Sequence, residues 1–365
     1  MSINNIIIYL MIFFMLVGAV DRLLGNRFGY GKKFEEGIMA IGTLSLAMLG
    51  IISLSPLIAS ALKPVITPLY KLIGADPAMF AGTILANDMG GYSLSMELAL
   101  SQEAGLFGGL FLAATMGATL SFTIPVAMGI INKEDEKYLS KGIMAGLSTI
   151  PLGCFFGGLI AGFSFKMLIL NLIPTIIFTF FICVALLKYP KAVSKSFSLF
   201  SKVMFIAITI GLALQIVETL TGKVLVQGMI PALEAVKIIC KIGMTLAGAF
   251  PMVYFITKVF KHPLVKLGKL FGINENSTAG IIACLAHNIP MYNILKDMDE
   301  RGKIINIAFS VSGAFVLGSH LGFTAGVDTA LVFPVIAAKL VGGISAMFVA
   351  NFIYNKDFKN SKKLN

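Results

Sequence analysis

Charge is the scarcest property of this sequence. Only 13% of its 365 residues are Asp, Glu, Lys or Arg, about half the share, near 25%, of a soluble globular domain. So few polar side chains cannot cover a water-facing body. Acids are fewer still, 18 against 29 basic residues, for a formal net charge of +11. The basic residues sit in short breaks between apolar runs rather than on one face, which excludes a nucleic-acid partner. Cysteine is scant as well. Cys154, Cys183, Cys240 and Cys284 each stand alone in an apolar run, and no CxxC occurs. Isolated cysteines of this kind behave as small hydrophobes, so no disulfide, metal or cofactor is expected. Nor does any basic residue precede the first apolar run, 3–24. A secretory signal needs that positive region, and a run of this length reads as a first membrane span.

What is present is apolar surface. Hydrophobic residues make up 57% of the chain and glycine occurs 37 times, with a mean hydropathy of +0.89. A spanning helix needs about 20 apolar residues. Runs that meet this are 3–24, 38–62, 105–131, 142–165, 167–187, 203–220, 236–257, 303–325 and 328–353. The reading is an all-α polytopic membrane protein in contact with lipid. Two further segments, 78–98 and 276–296, are apolar but interrupted, by Asn87-Asp88-Met89-Gly90-Gly91 and by His287-Asn288-Ile289-Pro290.

The two interrupted segments resemble each other. Residues 85–92, LANDMGGY, align with 285–292, LAHNIPMY, at an offset of 200. Upstream, Gly74 and Ala81-Gly82 match Gly272 and Ala279-Gly280. Downstream, residues 117–123 match 318–324, which pairs Thr119 with His320. Pro151 with Gly157-Gly158 parallels Pro334 with Gly342-Gly343. These matches keep one order, which points to an internal duplication: a first repeat over 1–165, a connecting helix and loop over 166–202, a second repeat over 203–353, and a basic tail over 354–365.

Loop charge sets the topology, because cytoplasmic loops carry the excess Lys and Arg. If all eleven segments span, basic residues divide almost evenly, 14 against 13. If 78–98 and 276–296 are re-entrant, 22 fall on one side and only Lys63, Lys71, Lys166, Lys223 and Lys237 on the other, with Lys241 and Lys339 inside spans. The second arrangement is preferred. It gives nine full spans, the N-terminus outside, the C-terminus cytoplasmic, and repeats of inverted topology. Paired broken helices in inverted repeats are the pattern of secondary transporters, which bind substrate between the repeats near the midplane.

Several unusual stretches also resemble a known family over nearly the whole chain. They are Ala19-Val20-Asp21-Arg22, Phe34-Glu35-Glu36-Gly37, Met79-Phe80-Ala81-Gly82-Thr83, Asp88-Met89-Gly90-Gly91, Asn288-Ile289-Pro290-Met291, Met298-Asp299 with Arg301-Gly302-Lys303, and His320-Leu321-Gly322-Phe323. The sequence resembles the ethanolamine permease family of bacterial ethanolamine-utilisation systems. The resemblance implies an inner-membrane protein that brings ethanolamine into the cell. Two positions depart from the family pattern: Ser319, where an acid is usual, and Asn87, where a small residue is common.

Ethanolamine is mostly an ammonium ion at neutral pH. Its site needs an anion or a ring face for the cation and hydrogen-bonding groups for the hydroxyl. Ionisable groups inside a membrane are costly and therefore functional candidates. Asp88 leads, as ligand for the ammonium or a coupling ion, or as a cap of the second half-helix. Asn288, and Asn87 beside Asp88, can take the hydroxyl or bridge backbone freed by the break. Tyr92 and Tyr292 can offer ring faces or simply pack. His287 and His320 can relay protons or hold helices together, and Thr119 joins the set as the partner of His320. Gly153-Gly157, Gly158-Gly162 and Gly318-Gly322-Gly326 have the spacing of close helix packing. His262 belongs to a solvated loop.

An intramembrane enzyme is disfavoured. An aspartyl protease needs two facing aspartates, and the position paired with Asp88 holds Asn288. Ser319 and His320 are adjacent, so on a helix they point in different directions. A scaffold has no use for two matched breaks. Within transport, a channel-like facilitator and an ion-coupled carrier for another small amine or polar solute stay open, as does a homo-oligomeric state.

Overall fold

The computed structural model describes residues 3–259, 268 and 271–364. His262 and the loop residues Lys261, Lys266 and Lys269 lie outside the described residues. Among the described residues the fold is entirely helical. Eight helical stretches are long and apolar enough to cross a membrane, as expected of a multi-pass membrane protein.

The elements in chain order are α1 (Ile3–Leu23), α2 (Tyr30–Leu72), α3 (Ala78–Ile84), α4 (Gly91–Leu98), α5 (Gln102–Ile130), α6 (Glu136–Ile160), α7 (Phe165–Lys188) and α8 (Pro190–Thr221), followed by α9 (Ala232–Val259), α10 (Glu275–Ala286), α11 (Asn288–Asn293), α12 (Glu300–Ser312), α13 (Ser319–Val327) and α14 (Val332–Leu364). The expected loop before residue 203 shrinks to a turn at Tyr189, and α8 runs on from it. α14 stays helical to Leu364.

Helices α1 and α8 are peripheral, and large apolar side chains such as Phe13, Phe205 and Leu220 stand exposed on them. In water these would be a liability; in lipid they face their proper solvent. α5 is the opposite case, with 83% of its most apolar stretch buried. It is the axle of the molecule. Its middle, Phe107–Gly117 and again Thr119–Thr123, is wound as π-helix, a form that clusters at functional sites. Gly153 and Gly157 let α6 lie directly on α14 at Ala338, and Gly322 and Gly326 seat α13 on Leu246 and Ile242 of α9. Both contacts follow the small-residue spacing in the sequence.

Both interrupted segments break where expected. In the first, Leu85 and Ala86 are extended, Asn87–Met89 makes a single tight turn, and Gly90 at φ 95° turns the chain into α4. Only glycine adopts that φ without strain. In the second, His287 is extended and α11 restarts at Asn288, with the imidazole Nδ1 of His287 accepting the N–H of Ile289 at 3.2 Å.

The segment 303–325, expected as one continuous span, is a correction. α12 ends at Ser312 and α13 begins at Ser319. Between them the chain unwinds, with Phe315 at φ 62°. The freed backbone finds partners on the end of α10. Phe315 N–H donates to the Cys284 carbonyl at 3.1 Å and Leu317 N–H to the Leu285 carbonyl at 2.9 Å. Irregular backbone at membrane depth persists only where such partners exist. A matching close approach is made by α5. A Cβ on Gly117 would lie 2.0 Å from the Leu85 carbonyl oxygen, and one on Gly318 would lie 2.1 Å from that of Ala286.

Candidate functional site

The residues expected to form the site gather, with exceptions, around the middle of α5. Thr119 shares its hydroxyl proton between the Thr115 carbonyl at 2.8 Å and the Val311 carbonyl at 2.7 Å. It thereby ties α5 to the last turn of α12. One helical turn on, Thr123 accepts the Asn288 amide N–H at 3.0 Å. The sequence reading did not single out Thr123.

The two asparagines at the breaks are both buried, and each is half satisfied. Asn87 Oδ1 accepts the N–H of Asp88 at 3.0 Å, while its Nδ2 has no partner among the described residues. In Asn288 the amide nitrogen is bonded and Oδ1 is left without a partner. One break thus leaves a donor open and the other an acceptor. Native interiors rarely leave such groups unmet, because each costs about 1–3 kcal/mol.

Asp88 is half-buried on the tight turn beside Asn87. No ion pair joins it to a cation among the described residues. The cation that acts on it electrostatically is Lys339 of α14. Lys339 is 2% exposed, and its ammonium donates to the carbonyl of Ala114, within the π-helical stretch of α5. It also lies 3.1 Å from Nδ1 of His320. The sequence reading had placed Lys339 inside a span without treating it as a site residue. The signal was present, since a lone cation in a span is a functional candidate by default.

His320 sits on α13 and packs on Phe315 with ring centroids 4.8 Å apart. His287 packs edge-on against the same ring, also at 4.8 Å, and against Phe122 of α5 at 5.8 Å. The two imidazoles therefore flank the unwound residues 313–318. The tyrosines stand apart from this group. Tyr92 is half-buried and edge-on to Phe323 of α13 at 5.7 Å. Tyr292 is buried with its hydroxyl 2.7 Å from that of Ser310. A hollow of about 210 Å³, lined by Asn132, Asp135, Tyr292 and Lys296 among others, opens beside it.

Acids at the helix ends are locally engaged. Asp21 accepts the backbone N–H groups of Phe28 and Gly31, Arg22 pairs with Glu35 at 2.8 Å, and Lys33 pairs with Glu36 at 2.6 Å. No cluster of metal-ligating side chains is found among the described residues, and all four cysteines are free thiols.

Comparison with known proteins places this arrangement in a family. Residues 3–353 match the family described as "Ethanolamine utilisation protein, EutH". The chain belongs to the EutH family. Within it, the chain is 54% identical to a protein of Listeria monocytogenes named probable ethanolamine permease EutH, over 99% of this chain and 97% of that one. It is 44% identical to the probable ethanolamine permease EutH of Salmonella typhimurium, over 98% and 97%. A Bacillus subtilis relative named uncharacterized protein YxeR is 49% identical over 96% and 95%. No solved structure matches.

Proposed function

We propose that this protein is a permease that brings ethanolamine into the cell, binding it as the protonated amine between two inverted repeats. Family membership along nearly the whole chain carries the solute. The Listeria and Salmonella relatives are named as probable permeases, and the reading is of a transporter rather than an enzyme. The site reading rests on the two breaks. Asp88 supplies the anion for the ammonium group. A hydroxyl both accepts and donates, and the open Asn87 Nδ2 and Asn288 Oδ1 offer the complementary pair. Thr119, His287 and His320 line or brace that region, with Tyr92 and Tyr292 outside it. The repeats run over 1–165 and 203–353, with 78–98 and 276–296 re-entrant, the N-terminus outside and the C-terminus cytoplasmic. Supporting this, Gly117 and Gly318, which the sequence pairs, make equivalent approaches to the two broken segments.

Uptake of radiolabelled ethanolamine into proteoliposomes holding the full chain tests the reading. Saturable uptake, suppressed by excess unlabelled ethanolamine, is expected. Flux equal to that of protein-free liposomes under both proton and sodium gradients overturns it.

A further inference from the structure

Lys339 presents a problem for any site that takes a cation. It already places an ammonium group in the buried centre of the molecule, on a backbone carbonyl and an imidazole nitrogen. An alkylammonium substrate carries the same head group and seeks the same acceptors. Asp88 is the one carboxylate whose charge reaches Lys339, without an ion pair between them among the described residues, and it is also the anion proposed for the substrate. A second ammonium in this low-dielectric region would leave a net positive charge among apolar side chains, a state proteins avoid by shedding a proton.

The groups that bear on Lys339 are few. His320 of α13 touches it, while Cys154 of α6, Cys284 of α10 and Asp88 on the first break act on it electrostatically, with His287 acting through His320. Both thiols are fully buried. Other charges on the neighbouring helices are remote along the chain. α6 carries Glu136, Lys137 and Lys141 in its first two turns, α5 carries Glu103 at its start, α12 carries Glu300, Arg301 and Lys303 in its first turn, α1 carries Asp21 and Arg22 at its last, and Asp328 caps the turn ahead of α14 about three helical turns before Lys339.

We propose that the Lys339 ammonium is a resident occupant of the cation position, and that each ethanolammonium enters as Lys339 gives up one proton. This deepens the ethanolamine reading and rests on it. The exchange balances. R–NH3+ from the medium and Lys339–NH3+ become bound R–NH3+, neutral Lys339–NH2 and one H+. His320 provides the exit, because Nδ1, as acceptor in the Nε2-protonated tautomer, lies 3.1 Å from the lysine nitrogen. No covalent bond other than N–H changes. On the far side the order reverses, and Lys339 regains a proton as the substrate leaves. One turn of the cycle moves one substrate cation against one proton. It is therefore electrically silent and equivalent to passage of the free amine.

The test is calorimetric titration of ethanolamine into the detergent-solubilised full chain near neutral pH, in buffers of different ionisation enthalpy, which counts protons released. Wild type is expected to release about one proton per ethanolammonium bound. Lys339→Met should bind with none released. Lys339→Arg, which keeps its charge at all accessible pH, should bind at least about tenfold more weakly. In proteoliposomes, an imposed inside-negative potential should leave wild-type uptake unchanged and accelerate that of Lys339→Met. If Lys339→Met does not fold, wild type and Lys339→Arg still decide the matter. Binding to wild type without proton release, or unweakened binding to Lys339→Arg, overturns the proposal and leaves the ethanolamine reading standing. No binding to wild type removes both.

Discussion

The amide of Asn288 donates to the hydroxyl of Thr123 across 3.0 Å, joining residues 165 positions apart in sequence. This bond fixes which end of the Asn288 side chain is spoken for and which is left open. Thr123→Val keeps the side-chain volume and removes the acceptor, so Asn288 is left with an unmet donor as well. A loss of about 1–3 kcal/mol of stability is expected, readable as an earlier thermal transition in detergent. An unchanged transition would show that this bond does not hold the second break.

Asp88 is expected to matter for solute rather than for fold. It is half-buried, and no cation forms an ion pair with it among the described residues. Replacing it with Asn preserves shape and removes the anion. Hydrogen bonds to charged groups contribute about 1.5–3 kcal/mol, so Asp88→Asn should weaken apparent affinity in uptake by about 10- to 100-fold with little change in melting temperature. Affinity equal to wild type removes Asp88 from the site.

The Asp135–Lys303 pair joins the turn before α6 to the first turn of α12. The nitrogen and oxygen are 2.7 Å apart, and the side chains are only 8% and 13% exposed. Lys303 also lies over the ring of Tyr138, whose hydroxyl bonds Glu300. Breaking a buried pair from one side strands the other charge and costs about 3–5 kcal/mol. Lys303→Met alone should therefore destabilise strongly. Combined with Asp135→Leu, much of the loss should return. A double variant no more stable than the single one would refute the pairing as the cause.

Gly318 is the tightest point of the third break. A methyl group there meets the Ala286 carbonyl oxygen at 2.1 Å. Backbone cannot yield as a flexible side chain can, and overpacking of this kind costs about 1–3 kcal/mol. Gly318→Ala should lower folded yield on size-exclusion chromatography, and Gly117→Ala should behave alike. Wild-type yields for both would show that the chain relaxes freely at these approaches.

These residues also show how far the sequence could be read. Long apolar runs were enough for eight of the spans, because length and hydropathy alone decide whether a helix can cross. The first two breaks announce themselves through polar residues with glycines or a proline. The third does not. Residues 313–318 are Gly-Ala-Phe-Val-Leu-Gly, apolar throughout, and they unwind because the end of α10 offers carbonyls from another part of the chain. No local signal encodes such a partner. Among candidate site residues, Asn288, His287, Thr119 and His320 gather around α5. Tyr292 is bonded to Ser310 instead, and Tyr92 packs on Phe323. Lys339 escaped notice as a site residue because its neighbours, Ala114 and His320, lie on other helices.

The open Asn87 nitrogen and Asn288 oxygen have a mechanical meaning as well as a chemical one. An interior that holds unanswered hydrogen-bonding groups is loosest when nothing fills it. Water or a polar solute that answers both becomes part of the packing. On the proposed reading the solute-free protein is the softest form and the solute-bound protein the stiffest, so saturating solute should raise the melting temperature in step with occupancy.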